Sequence, residues 1–491
     1  MHRCIRPAAR GASLLALGTI AATGLAAVGD LKWSVPLGPG YNYDASVSLG
    51  PNRAIHAVVH TDTFEGRLYS ISPAGRTNWI VSLPDAFGTP TVLGDGMIVV
   101  PGEQNLYALS ADGAPVWQLG FWERIASPVM AVGPDGSLYL LTGDGELWSV
   151  SRTGTVNWHQ PTSGDSAGPR VGADGTLYLP ANGSAPYAAG VAALDPATGY
   201  PREIQHGWPG SAGVGATDGL LFSGDRLGLP AGHTGFLLTS QLDYRLTFTV
   251  KVGGVEVPLA SQWMAADASD AIFVAVTNGL VKVRLPARAG AEPTLVWQAN
   301  LPAGLTEPGR FALANDGGLF LLTLNGAGNV VAARLDRNGV LAATPRAVTP
   351  ALQPPTAYGA PVIGADGTMY GLASGLVAPA LDQRSFLFAV EGPTNTTRRT
   401  WSQSAADLRR TGRLASPGAD VAIDWTRRLP DGRIEIVVQG EPDRACAVEV
   451  SADLKSWSSL GNRSSANGCL RVVDAPPAGT AVRFYRVVPP R

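Results

Sequence analysis

Short runs of alternating apolar and polar residues recur along most of the chain, and turn residues separate them. The clearest copy runs from residue 127 to residue 158 and contains four such runs. Alternation with a period of two is typical of β-strands, and Asp-Gly pairs supply the positive φ angles that tight hairpins need. This copy therefore predicts four short antiparallel strands joined by turns.

The same order of strands and turns returns in other parts of the chain. Such repetition indicates one small supersecondary unit copied many times, because a chain of 491 residues is too long for one ordinary core. Further copies lie at residues 89–117, 168–199 and 360–371, with weaker ones at 213–250, 264–297 and 311–343. Structural hairpin turns are predicted at Asp135 and Gly136, at Asp174 and Gly175, and at Asp366 and Gly367.

A tryptophan marks the end of most copies, and Trp33 opens the series. We expect each of these rings to pack against the neighbouring unit, burying about 150–250 Å². The predicted structural tryptophans are Trp79, Trp117, Trp158, Trp297 and Trp401, with degenerate repeat ends near Glu203, Phe248 and Thr344.

The spacing of these repeat ends predicts the fold. From Trp33 to Trp401 there are eight intervals of about 38 to 57 residues, the length of a four-stranded propeller blade. One blade cannot bury both of its faces, whereas a closed ring of blades buries them all. We expect an all-β fold: an eight-bladed β-propeller of four-stranded antiparallel blades over residues 30–413. Seven blades are the alternative, because residues 209–254 match the pattern poorly.

The N-terminus has the pattern of an export signal over residues 1–29. Arg3, Arg6 and Arg10 precede an uncharged stretch, and Ala27-Val28-Gly29 fits a small-x-small cleavage site. The alternative is an uncleaved membrane anchor, because the uncharged stretch is nearly long enough to span a bilayer. No later segment has that length of apolar sequence. We therefore expect a mature chain without a transmembrane segment, located in the periplasm, on the outer surface or outside the cell.

A polar linker is predicted at residues 414–420, followed by a second β-module at 421–491. Cys446 and Cys469 both lie in this module, and the remaining cysteine, Cys4, belongs to the signal. In an oxidising compartment two such cysteines predict one disulfide, with two buried free thiols as the alternative. The runs Ser-x-Asp-Leu-x-x-Trp at 451–457 and Arg-Phe-Tyr-Arg at 483–486 resemble those of small fibronectin-III-like β-sandwich modules of secreted proteins.

The repeats themselves resemble a known family. The run Ala-Leu-Asp-Pro-Ala-Thr-Gly at 193–199 is similar to the tryptophan-docking motif of PQQ-like, quinoprotein-type propellers, and residues 109–117 and 149–158 are similar to it with the tryptophan retained. The segment 401–413 resembles a sequence that flanks such propellers. The resemblance implies either a quinoprotein dehydrogenase or a cofactor-free envelope scaffold, such as the lipoprotein of the outer-membrane barrel-assembly machine.

The chain departs from both kinds of relative. The propeller region lacks the adjacent Cys-Cys pair of many quinoprotein dehydrogenases, and no cysteine stands at the signal junction for lipidation. His56 and His60 have the same parity in a predicted strand, but no third metal ligand follows at a recognisable spacing. We therefore predict no catalytic, cofactor-binding or metal-binding residues.

The charge content of the sequence argues against one class of function, nucleic-acid binding. Only 15% of the residues are charged, the formal net charge is −2, and no basic stripe is present, so nucleic-acid binding is not expected. The favoured hypothesis is a non-catalytic binding or scaffold protein with a protein or glycan partner. Two alternatives stay open: a PQQ-dependent oxidoreductase using PQQ with Ca²⁺, and a propeller enzyme of another class, such as a glycan hydrolase or lyase. The sequence does not identify the ligand, the partner or the oligomeric state.

Overall fold

All regular elements of the described chain are β-strands. None of the described segments is a helix that could cross a membrane. The computed structural model describes residues 27–41, 46–50, 53–61, 65–126, 130–133, 135–162, 168–171, 175–181, 190–206, 221–223, 226–231, 234–239, 244–249, 251–252, 255–256, 264–266, 271–276, 279–284, 293–305, 310–314, 316–364, 366–393, 422–429, 432–439, 446–463, 469–477 and 483–488.

After an N-terminal strand, β1 (Leu31–Pro39), the chain forms four sheets that each contain four antiparallel strands in chain order. Short apolar strands and tight turns favour this meander. Sheet 1 contains β2 (Ser48–Leu49), β3 (Ile55–His60), β4 (Gly66–Ile71) and β5 (Thr77–Leu83). Sheet 2 contains β6 (Thr91–Val92), β7 (Ile98–Pro101), β8 (Asn105–Leu109) and β9 (Pro115–Gly120). Sheet 3 contains β10 (Ala131–Val132), β11 (Leu138–Leu141), β12 (Glu146–Val150) and β13 (Val156–Pro161), and sheet 4 contains β14 (Arg170–Val171), β15 (Leu177–Ala181), β16 (Gly190–Leu194) and β17 (Pro201–His206).

Three more sheets repeat this plan, and one of them occupies the region that matched the sequence pattern poorly. Sheet 5 contains β18 (Leu221–Ser223), β19 (Arg226–Ala231), β20 (Thr234–Thr239) and β21 (Tyr244–Thr249), followed by a hairpin of β22 (Lys251–Val252) and β23 (Val255–Glu256). Sheet 6 contains β24 (Met264–Ala266), β25 (Ala271–Val276), β26 (Gly279–Arg284) and β27 (Thr294–Asn300). Sheet 7 contains β28 (Phe311–Leu313), β29 (Leu319–Leu324), β30 (Val330–Leu335) and β31 (Leu341–Ala347).

Sheet 8 joins the two ends of the repeated region. Its later strands are β32 (Gln353–Tyr358), β33 (Val362–Ile363), β34 (Met369–Val377) and β35 (Asp382–Val390). The outermost strand is β1, which pairs antiparallel with β35 and places Trp33 opposite Ala389. The sequence assigned the end of this last interval to Trp401, which lies outside the described residues. The chain instead takes the outer strand of sheet 8 from its N-terminal end, and that pairing leaves no open edge at β35.

Apolar clusters lie between consecutive sheets rather than within one central core. In each cluster, side chains of one sheet interdigitate with those of the next, so that each sheet seals its neighbour. Between sheets 8 and 1 the cluster includes Val47, Tyr69, Tyr370 and Leu387. Comparable clusters join sheets 1 and 2, 2 and 3, 3 and 4, 6 and 7, and 7 and 8.

The C-terminal segment forms two three-stranded sheets, with β37 central in one and β38 central in the other. Residues of both sheets share one apolar cluster, to which β37 contributes Ile436 and Val438 and β38 contributes Cys446 and Val448. The strands are β36 (Ala422–Arg428), β37 (Ile434–Gln439), β38 (Cys446–Ser451), β39 (Ser458–Arg463), β40 (Cys469–Asp474) and β41 (Phe484–Val488).

The two cysteines of this segment lie in strands of different sheets. Cys446 is in β38 and Cys469 is in β40. Among the described side chains Cys446 has no disulfide partner; it is buried, and burial raises the pKa of its thiol. The side chain of Cys469 lies outside the described part of the structure. The disulfide therefore stays a prediction.

Candidate binding surface

The predicted tryptophans that the structure describes lie on outer strands and reach the turn between the third and fourth strands of the following sheet. The indole nitrogen of Trp117 donates to the carbonyl oxygen of Arg152 at 2.8 Å, and that of Trp158 donates to Pro196 at 3.1 Å. Equivalent bonds join Trp33 to Pro73 at 2.9 Å and Trp297 to Arg337 at 3.0 Å. A buried or half-buried indole N–H needs such a partner, so the bond fixes the ring as well as the turn.

A glycine in each turn makes room for the ring. Gly154 has a φ of 81°. A Cβ atom placed there would lie 2.7 Å from Trp117, and one at Gly113 would lie 2.9 Å from Trp79. The turn thus needs glycine both for its left-handed backbone and for the close approach. The Gly residues of the sequence motif are therefore part of the contact between sheets.

Four of these tryptophan rings pack against a second aromatic side chain of the same sheet. Ring centroids are 6.0 Å apart for Tyr139 and Trp158, and 5.9 Å apart for Phe273 and Trp297. In sheet 1 this place is taken by His56, whose ring lies 5.7 Å from that of Trp79. Burial lowers the pKa of His56 to about 4, so the imidazole is neutral near pH 7.

The other residues singled out in the sequence make contacts within the fold. The ring of His60 packs 4.5 Å from that of Tyr41. The carboxylates of Asp135 and Asp366 accept backbone N–H groups of Ser137 and Thr368 within their own turns. Gly136, Gly175 and Gly367 have positive φ angles, as the hairpin prediction requires, and Asp174 lies outside the described residues. In the described part of the chain, no three His, Cys, Asp or Glu side chains form a group that could hold a metal ion.

Sequence reasoning missed a connection at the other end of sheets 2 and 3. Successive turns of an antiparallel sheet alternate between its two ends, so the connection from β9 to β10 lies opposite the docking turns. It contains residues 121–126, named here the 121–126 loop. Within it the Phe121 side chain is buried, whereas that of Trp122 is 91% exposed. The sequence signal was a Phe-Trp pair directly followed by Glu and Arg, which is unusual between two apolar strands.

Hydrogen bonds fix this loop from both sides. Within sheet 2, the N–H of Phe121 donates to Gln104 at 2.7 Å, and the side-chain amide of Gln104 donates to the Trp122 carbonyl at 3.2 Å. Ile125 donates to the carbonyl of Glu103 at 2.7 Å. From sheet 3, Gly143 donates to the Arg124 carbonyl at 2.7 Å. The loop is thus attached to the β7–β8 turn on one side and to the β11–β12 turn on the other.

Asp85 stabilises the β7–β8 turn, to which the 121–126 loop is attached. Its carboxylate accepts hydrogen bonds from the Gln104 N–H at 2.9 Å and from the Tyr107 hydroxyl at 2.5 Å. Burial, together with the Asp85 carboxylate, raises the pKa of Tyr107 above its usual range. The β7–β8 turn is therefore held by a carboxylate on the preceding connection.

An aromatic stack continues from the loop into sheet 3. The ring of Phe121 meets that of Trp148 edge-on at 5.1 Å, and His159 stacks on Trp148 at 4.4 Å. His159 in turn lies 3.1 Å from a carboxylate oxygen of Glu146. The Trp148 ring is therefore engaged by other aromatic side chains, in contrast to the open ring of Trp122.

Charged groups around the loop are mostly acidic. Arg124 pairs with Glu103 at 3.2 Å, which leaves Glu123 on the loop and Glu146 beside it as additional negative charges. We call the set Glu103, Gln104, Trp122, Glu123, Arg124, Glu146 and His159 the Trp122 surface.

Comparison with known proteins agrees with the geometry of the sheets. Residues 64–226 match the family model PQQ_2, described as outer membrane protein assembly factor BamB. The fold is a β-propeller. The crystal structure of BamB from Moraxella catarrhalis aligns with 74% of this chain and 100% of its own, at 16% identity and a TM-score of 0.51. The C-terminal WD40 domain of Sif2 aligns with 75% of this chain and 100% of its own, at 13% identity and a TM-score of 0.51. No curated protein sequence matches the chain.

Among the described residues of the propeller, no set of acidic side chains is assigned to a quinone with its Ca²⁺. Calcium needs six to eight oxygen ligands, several of them carboxylates. Acidic side chains of the described residues do not form the necessary group. The carboxylates of Asp85 and Asp135 accept hydrogen bonds from the backbone N–H groups of Gln104 and Ser137.

Proposed function

We propose that this chain is an exported, non-catalytic β-propeller of eight blades that binds a protein partner in the cell envelope. The observation that carries the proposal is the fixed 121–126 loop with its exposed Trp122. Soluble proteins seldom expose a whole tryptophan ring on their surface. Tryptophan side chains are enriched at the centres of protein–protein interfaces. The likeness to BamB, a protein described as an assembly factor, agrees with a scaffold role.

The blade count of eight is supported by the order of the sheets. Seven four-stranded sheets follow one another along the chain, and the sheet of β1 and β32–β35 completes the series. We further propose that the C-terminal segment is a fibronectin-III-like β-sandwich stapled by Cys446 and Cys469. Its paired three-stranded sheets and common apolar cluster support that architecture.

Export is proposed from the basic, uncharged and small-residue order of residues 1–29. N-terminal sequencing of the mature protein tests it directly. We expect the first residue to be Asp30 in the envelope or extracellular fraction. An intact N-terminus in the cytoplasmic fraction would contradict export.

The function itself is tested by isolating complexes from cells that export the full-length chain with an affinity tag. We expect one protein to co-purify in a fixed ratio and to re-form the complex when both purified components are mixed. The purified chain should neither acquire quinone absorbance nor reduce a dye acceptor after incubation with PQQ and Ca²⁺. Dye reduction would favour the oxidoreductase alternative, and turnover of a glycan would favour the hydrolase or lyase alternative.

A further inference from the structure

Trp122 differs from the other described apolar side chains in its degree of exposure. At 91% it exceeds Tyr200 and Val340, which follow at 62% and 61%. Neither face of an indole this exposed can lie against the protein. The ring therefore projects from the end of the propeller as a knob. It does not form a protein-backed surface on which a flat ligand would stack.

The backbone that carries this knob is fixed before any partner binds. Phe121 and Ile125 donate to the β7–β8 turn on one side, and Arg124 accepts from Gly143 on the other. The buried ring of Phe121 packs at 5.1 Å against Trp148. Because the loop backbone is already held, binding through Trp122 avoids the entropy cost of ordering the loop, which favours affinity.

The charge around the knob indicates the surface that it meets. Glu103 and Arg124 neutralise each other in their ion pair, whereas Glu123 and Glu146 add negative charge. A membrane with anionic lipids would be repelled by these carboxylates, and one indole without a further exposed apolar side chain in the described 121–126 loop gives little insertion energy. A sugar ring stacks on an aromatic face backed by protein, and the Trp122 ring lacks such backing.

We propose that Trp122 is the anchor through which the propeller binds a folded protein, inserting into an apolar pocket bordered by Lys and Arg side chains. The inference rests on the proposed scaffold function and adds to it the site of contact and the chemistry of the partner. Hot-spot residues of this type are central aromatic side chains that fill a pocket, surrounded by polar groups that exclude water. Complementary charge at the rim speeds association and selects the partner.

The first test places a photo-crosslinking amino acid at position 122 of the exported chain, with Tyr200 as the matched control position. Tyr200 is exposed and aromatic but lies in a docking turn at the opposite end of the sheets. Irradiation of intact cells should give one protein adduct from position 122 and none of the same size from position 200. The crosslinked peptide should map to an apolar pocket that has basic side chains at its rim.

The second test measures binding of that purified protein to variants of the full chain. Trp122→Ala should weaken binding at least about 30-fold and leave the urea midpoint unchanged, whereas Tyr200→Ala should bind as tightly as the original chain. Glu123→Lys should slow association, and the same charge change at exposed Asp112, in the docking turn at the opposite end of sheet 2, should not. Added salt should reduce the association rate of the original chain more than that of Glu123→Lys.

The results that would contradict the Trp122 anchor differ from those that would contradict the scaffold function. A partner that co-purifies but binds Trp122→Ala with undiminished affinity would overturn this inference and leave the scaffold function intact. Adducts to lipid or glycan at position 122, or cosedimentation with vesicles of phosphatidylcholine and phosphatidylglycerol that requires Trp122, would also overturn it. Absence of any protein partner would overturn the scaffold function as well.

Discussion

The indole nitrogen of Trp117 in sheet 2 donates a hydrogen bond to the carbonyl oxygen of Arg152 in sheet 3, 2.8 Å away. The Arg152 guanidinium in turn forms an ion pair with Asp95 of sheet 2. One turn is therefore attached to the preceding sheet through both its backbone and its side chain. This double attachment makes the contact between sheets 2 and 3 a suitable place to measure what one docking ring contributes.

Replacing Trp117 by Ala should destabilise the propeller by about 3 kcal/mol, because the change removes a half-buried ring and leaves the Arg152 carbonyl without its donor. The urea midpoint of the purified chain measures the loss. Gln118→Ala, an exposed change on the same strand, is the control and should cost less than about 0.5 kcal/mol. Equal effects of the two substitutions would show that the ring does not join the sheets.

Replacing Gly154 by Ala tests the close approach of turn and ring. The new Cβ would lie 2.7 Å from Trp117, in addition to the strain of a φ of 81°. Gly304 provides a matched control, because its φ is 87° and a methyl group added there would meet nothing within 4 Å. We expect Gly304→Ala to cost about 1 kcal/mol and Gly154→Ala at least about twice as much. The midpoint temperature of thermal unfolding measures both effects. Equal midpoints for the two variants would contradict this reasoning.

Acid should weaken sheet 1 through His56. Its folded-state pKa of about 4 lies below the ordinary value of 6.5, so the unfolded chain binds more protons between these two pH values. Stability linked to His56 is therefore present above pH 6.5 and falls by about 3 kcal/mol as the pH drops towards 4.

Replacing His56 by Phe should flatten this dependence, because Phe273 occupies the equivalent place in sheet 6. The measurement is the urea midpoint from pH 7.5 to pH 4. Asn78→Ala, an exposed change without a titratable group on the outer strand of sheet 1, should leave the slope unaltered. A His56→Phe variant with the original acid sensitivity would assign that sensitivity to other groups.

The carboxylate of Asp474 should make the C-terminal segment sensitive to acid. Arg483 donates to it from two nitrogens at 2.6 and 2.8 Å, and the Tyr485 hydroxyl donates at 2.7 Å. These donors, Arg483 foremost, lower the pKa of Asp474 below 3.8. Its contribution is present above that value and is lost as the pH falls through the lower folded-state pKa.

Asp474→Asn should therefore destabilise the segment at pH 7 by about 3 kcal/mol, since it leaves the half-buried Arg483 guanidinium without its carboxylate. Chemical-shift changes around β40 and β41 during urea unfolding would report the loss. Lys455→Ala, an exposed change in the same segment, should have little effect. A variant that unfolds with the original midpoint would show that the Arg483 contact is not stabilising.

Local patterns in the sequence predicted the parts of the fold that depend on local chemistry. The turns at Gly136 and Gly367 and the rings of Trp117 and Trp158 lie where alternation and spacing indicated. The pairing of β1 with β35 was not predicted, because its partners are hundreds of residues apart and no turn residue links them. Trp122 was also missed, since a Phe-Trp pair in an apolar chain resembles buried aromatic sequence until its neighbours are placed.

The strand that completes the last sheet is made long before its partner. Translation delivers β1 many residues ahead of β35, so β1 must wait without this partner until β35 has been made. Contacts across so long a separation make assembly slow, and they expose β1 to chaperones or proteases meanwhile. A fragment that starts after Pro39 but retains sheet 8 would leave β35 as an unpaired edge that is prone to self-association.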